Sequence, residues 1–256
     1  MADSPLLALA DASLPIFAAL IFALLFVAME AAYRIGLRCT EQGEGVRTTT
    51  GIVTGGMLAL FAFLLSIMFS MASDRYEQRR HSVLEEANAL GTAWLRADLL
   101  GPETALRLRA LMRDYTGLRI EAISGTADWP RTGALQDAMW REAAGAAMRT
   151  PGPLAAQTIA ALNQVIDMAT TSRRNFRHGV PAHVLRLVVA IAILSAAAMG
   201  FQFGLHRHRQ IGVILLLLFT WSVGLVLVVD IDSSRSGSVR VDPAPLVWTL
   251  ESWGSP

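Results

Sequence analysis

Four stretches of this chain carry no charged side chain: residues 12–29, 51–73, 187–205 and 211–229, which are 18, 23, 19 and 19 residues long. Such runs exclude most folds open to 256 residues, because an element at the surface of a water-soluble domain keeps one polar face. A helix rises about 1.5 Å per residue and needs roughly 20 residues to cross ~30 Å of hydrocarbon, so these runs are of spanning length. The first becomes long enough by continuing past Glu30 to about Tyr33. Composition points the same way. Only 17% of residues are charged, where soluble chains carry about a quarter, and the mean hydropathy is +0.43. The first run is not expected to be a cleaved leader, since residues 1–14 hold no positive charge and no small-x-small cleavage site follows.

The sequence therefore predicts an all-α, four-helix transmembrane protein with a helical extramembrane domain inserted between the second and third spans. The first hairpin covers 1–73 (spans about 12–33 and 51–73), the inserted domain 74–185, the second hairpin 186–229 (spans about 187–205 and 211–229) and a tail 230–256. The insert holds 14 Arg and 12 acids in 112 residues, the composition of a solvated helical domain. The helix of the second span is expected to continue through Arg80 and Glu85 to Leu100, where Gly101 and Pro102 end it and start the next. That next helix, about Glu103 to Ser124, sets Leu108, Leu111, Met112, Tyr115 and Leu118 on one face. Gly125 stops it, Trp129 and Pro130 make a turn, and Thr132 caps a third helix to about Arg149. A fourth runs from Leu154 to His178. Strand signals are missing outside the membrane runs.

Charge narrows the partners. All 22 basic residues are Arg and face 21 acids, for a net charge of +1, so no global field points to nucleic acid. One cysteine, Cys39, excludes an intramolecular disulfide and a thiolate metal cage. The five histidines have no zinc spacing, a lysine-free chain cannot build a phosphate loop ending in Lys, and no G-x-S-x-G elbow is present. Neither catalysis nor a cofactor is expected.

Two blocks of residues resemble a known family. Residues 61–80 (FAFLLSIMFSMASDRYEQRR), followed by Glu85, Glu86, Asn88, Thr92, Leu95, Arg96 and Asp98, are similar to the bestrophin-like family of bacterial membrane proteins. The tail motif with Asp230, Asp232, Arg235 and Gly237 is similar too, with Ser234 and Ser236 as departures. The resemblance implies four transmembrane helices, a cytosolic helical region between the second and third, and a pentameric ion channel.

The second span carries the most informative pattern. At 100° per residue, Gly51, Gly55, Ala59, Ala62, Ser66, Ser70 and Ser73 fall in one arc about 100° wide, opposite Val53, Met57, Leu60, Leu64, Met68 and Met71. Small residues at this spacing serve as a close-packing face between helices. They also suit a pore wall, where hydroxyls replace part of an ion's hydration. The same face leads on to Glu77 and Arg80, which symmetry would turn into charged rings. The expected pore-lining set is Gly55, Ala59, Ala62, Ser66, Ser70, Ser73, Glu77 and Arg80.

Two further constellations have bland readings that are preferred. Glu30 and Arg34 are spaced to shield each other at the end of the first span. Asp230 and Asp232, at the exit of the last span, are expected to form an ion-pair cluster with Arg75, Arg79 or Arg80; two carboxylates fall short of the six to eight oxygens of a Ca²⁺ site. No metal is expected.

The expected protein is a homo-oligomer, a pentamer by resemblance, that conducts inorganic ions across the bacterial inner membrane, with lipid and its own copies as partners. A non-conducting scaffold and, more weakly, a small secondary transporter are the alternatives. An even number of spans puts both termini and the insert on one side. Counting the membrane-proximal arginines of the insert gives nine on that side against five on the other, which places it in the cytoplasm, although the short loops alone favour the reverse.

Overall fold

A computed structural model describes residues 13–39, 44–125, 129–177, 179–207, 210–233 and 237–254, and the side chains of residues 129 and 130 are not among those described. These residues form α1 (Leu14–Arg38), α2 (Glu44–Arg96), a 3₁₀ turn (Ala97–Leu100), α3 (Pro102–Ile123), α4 (Trp129–Arg149), α5 (Pro153–Arg177), α6 (Ala182–His206), α7 (Ile211–Asp232) and α8 (Ala244–Ser252). No strand occurs among the described residues. Four helices, α1, α2, α6 and α7, are long and apolar enough to cross a membrane.

Helix ends follow local chemistry, with three differences from expectation. α1 runs past Tyr33 to Arg38, and Arg34 Nε sits 2.9 Å from Glu30 Oε1, so the acid inside the apolar run is neutralised one turn away. α2 ends at Arg96 rather than Leu100, tightening into the 3₁₀ turn before Gly101, whose φ of +91° only glycine adopts without strain. α4 begins at Trp129, so Trp129 and Pro130 are its first residues and not a turn before it. Proline fits there because the first amides of a helix have no intrahelical acceptor. Thr132 consequently lies within the first turn, where it is buried.

The chain divides into two compact units, residues 1–74 with 179–239, and residues 75–178 with 240–256. In the first, the core is the buried stripe of α1 (Phe17, Ile21, Leu25, Met29) with Val188, Val189, Ala192, Ala196 and Met199 of α6 and Leu218, Leu225 and Val228 of α7. α1 and α6 meet almost backbone to backbone. A Cβ on Gly200 would stand 2.1 Å from Met29 O, one on Gly204 2.3 Å from Tyr33 O, and one on Gly36 2.4 Å from Phe201 O. Lipid offers helices no hydrophobic drive to associate, so this proximity supplies the dispersion contact that holds the pair.

The second unit is built like a water-soluble helical domain. Leu90, Ala93, Leu108, Met112, Tyr115, Leu162 and Val165 are buried together. α8 contributes Leu246, fully buried, and beyond it Trp253 stacks on Trp94 with centroids 4.2 Å apart and planes 4° from parallel. Arg109 and Arg113 lie over the Trp94 ring at 4.9 and 5.3 Å, and Arg113 Nη2 donates to the carbonyls of Trp253 (2.5 Å) and Gly254 (2.9 Å).

Candidate pore face and polar sites

Within the first unit α2 packs through one stripe. Thr54, Phe61, Met68 and Ala72 are buried at spacings of seven, seven and four residues. Thr54 Oγ1 donates to Ala198 O at 3.4 Å, Ser195 Oγ donates to Met57 O at 3.2 Å, and Phe61 meets Trp221 at a centroid distance of 4.8 Å. The small-residue face points elsewhere. Gly55, Ala59, Ala62, Ser66 and Ser70 are exposed and Ser73 is half-buried. A single protomer thus folds without using this face to hold its own spans together. Ala62 and Ser66 are among the residues lining an apolar groove of about 530 Å³ that α2 forms with Leu217, Trp221 and Gly224 of α7.

Further along α2, Glu77 and Arg80 are exposed and lie 3.5 Å apart. An exposed pair of this kind is worth at most ~1 kcal/mol, so both groups stay available to solvent and ions. Arg79 is buried and Arg75 half-buried.

The two aspartates at the end of α7 act as hydrogen-bond acceptors for the chain around them. Asp230, 6% exposed, accepts from the Ser238 backbone N–H (Oδ1, 2.6 Å) and from the Ser238 hydroxyl. Asp232 Oδ2 accepts from Val180 N–H at 2.7 Å. Glycine is needed opposite Asp230, since a Cβ on Gly237 would fall 2.5 Å from its Oδ1 and 2.7 Å from its backbone O; one on Gly179 would meet only the Asp232 side chain, 2.7 Å from Oδ2. The pairs expected with Arg75, Arg79 or Arg80 would join residues of different units; within the first unit the carboxylates already hold these three donors. Arg235 and Ser234 of the tail motif lie outside the described residues. No group of three or more His, Cys, Asp or Glu among the described residues is placed to hold a metal.

A polar centre in the second unit was not anticipated from the sequence. Glu86 of α2 and Arg119 of α3 are fully buried and pair through Nε–Oε1 (2.5 Å) and Nη2–Oε2 (2.6 Å). Arg119 Nη2 also donates to Ser172 of α5 (3.0 Å), the Tyr115 hydroxyl donates to Glu86 Oε1 (2.8 Å), and Gln136 of α4 donates to the Tyr115 hydroxyl (3.3 Å). The network ties four helices together. Burial, followed by the charge of Glu86, pushes the Tyr115 hydroxyl well above its usual pKa. For Arg119, burial works against the charge, but Glu86 outweighs it and the guanidinium is held more firmly protonated. Nothing in the spacing of residues 33 apart announces such a pair.

Together, fold and site define a four-span helical membrane protein with a helical extramembrane unit. Its family is also established. A family model for the bestrophin-like domain matches residues 16–246, nearly the whole chain, and the protein belongs to the bestrophin-like family. No curated protein and no solved structure matches it.

Proposed function

We propose that the chain assembles as a homo-oligomer around a central axis and conducts inorganic ions across the bacterial inner membrane, with the small face of α2 turned toward the axis. The supporting observation is that this face, Gly55 to Ser70, is exposed in the protomer while a different stripe of α2 packs against α6 and α7. A purely lipid-facing surface gives no reason to gather glycine, alanine and serine on one side, so this face meets either a neighbouring copy or water. The stripe becomes hydroxylated through Ser66, Ser70 and Ser73, and the same helix continues to the exposed Glu77 and Arg80. Polar groups of this kind lower the cost of stripping water from an ion.

Membership of the bestrophin-like family favours channel activity and, through the true bestrophins, a pentamer. It also favours the cytoplasmic placement of the inserted helices and both termini. The test is ion flux through liposomes containing the purified protein, with ions exchanged one at a time. Flux that depends on the protein and on ion identity supports conduction. Absence of flux for every ion tried contradicts it and favours a scaffold whose α2 stripe only packs.

A further inference from the structure

The second unit contains a small cavity with the chemistry of an anion site. It measures about 120 Å³ and lies where the first turn of α4 meets α3 and α5. Arg119 and Arg173 are both in its wall, with Thr132 and Gln136 from α4. No carboxylate stands among the described lining residues. Thr170 also lines it, but its hydroxyl donates to Ile166 O at 3.1 Å and offers no proton to a guest.

We propose that this cavity binds a small oxyanion of the phosphate or sulfate type. Charge comes first. Glu86 offsets Arg119, so Arg173 supplies the excess positive charge, and the start of α4 adds the positive end of a helix dipole. Donor geometry comes second. A guanidinium matches the oxygen spacing of an oxyanion, and Arg173 is the one in the wall that can present that edge, while Arg119, held by Glu86 and Ser172, forms a fixed part of the wall. Gln136 spends one amide proton on Tyr115 and keeps another. Size comes third. A water needs only roughly 10–15 Å³ of such space, so the cavity holds several oxygen-sized groups, and a lone halide would leave much of it to water. The ring Gln136, Tyr115, Glu86, Arg119 closes on the cavity, so a bound oxyanion would brace all the helices that meet there. The inference concerns the second unit by itself, and its failure leaves the pore reading untouched.

The full-length protein in detergent is titrated with sodium phosphate and sodium sulfate, with sodium chloride at matched ionic strength as control, while thermal unfolding and heat of binding are followed. Saturable binding of either oxyanion that raises Tm, without an equal effect of chloride, is the expected result. Arg173 is exposed, so Arg173→Gln should fold normally and weaken binding about tenfold or more, the loss of one charge-assisted contact. Gln136→Leu, which removes a neutral lining donor from α4, should weaken it less. Glycerol phosphate in place of the inorganic ion tells whether a phosphate monoester is also admitted. No saturable binding, equal binding of chloride, or unchanged affinity in Arg173→Gln would each overturn the proposal.

Discussion

The two units of this molecule are held together by different physics. In the membrane unit the decisive contacts are close backbone approaches, Gly200 on Met29 and Gly204 on Tyr33, among helices whose outer faces carry large apolar residues such as Val27, Phe63, Leu216 and Phe219. In the other unit, apolar burial follows the rules of water-soluble domains, and the least tolerant contact is a buried ion pair with its hydrogen-bonding neighbours. Where no water is expelled between helices, shape carries the stability; where water is expelled, any polar group taken inside must be matched.

Arg119→Ala leaves Glu86 buried and unpaired, and should destabilise the second unit by about 3–5 kcal/mol. Replacing both Glu86 and Arg119 by methionine should recover most of that loss. Denaturant unfolding of the three proteins in detergent checks it, and a double variant as weak as the single one would show that the pair contributes more than charge matching.

In the membrane unit the corresponding lesion is steric. Gly204→Val would force α1 and α6 apart and should cost about 1–3 kcal/mol or more, with Gly200→Val comparable. Gly224→Ala, whose Cβ would meet only the movable Leu65 side chain at 3.2 Å, should cost clearly less. Melting temperatures in the same detergent rank the three, and equal values would remove close approach from the account.

Asp230→Ala should cost about 1–3 kcal/mol by stranding the Ser238 N–H and hydroxyl, and Asp230→Asn, which can still accept from that N–H, should cost less. The smallest effect is in alkali. Tyr115 is held neutral in the fold above the pH at which an unfolded tyrosine ionises, near 10. Its contribution is therefore complete below about pH 10 and is lost as pH rises toward the folded-state value, because the unfolded chain then binds fewer protons than the native one. Tyr115→Phe should flatten that alkaline decline, read from denaturant midpoints at about pH 9 and about pH 11.

The sequence displays some of these features and hides others for definable reasons. The spans are legible because uncharged runs of this length have few alternatives, and Gly101 with Pro102 marks a helix boundary, at which Gly101 adopts a φ of +91°. The pairing of Glu86 with Arg119 is hidden, since a contact across two helices leaves no periodic trace. Gly200 and Gly204 do carry a small-xxx-small spacing, but so does the longer stripe on α2, and spacing alone does not tell which of the two faces packs within a protomer. α8 is only nine residues long and too short for a periodic signal; its local cues are Pro245 in its first turn and Asp242, whose Oδ1 accepts from Ala244 N–H at 2.9 Å as the helix begins.

In the proposed channel the small face of α2 meets water along a conducting axis. The most direct test of this placement is cysteine accessibility in a Cys39→Ser background, which removes the chain's one native thiol. Ser66→Cys and Ser70→Cys should react with small aqueous thiol reagents, and the reaction should block flux, while Leu64→Cys and Met68→Cys, on the opposite arc, stay inert. Unreactive cysteines at both serine positions, together with an oligomer that dissociates when Ser66 is made bulky, would contradict it and leave the stripe as a packing face.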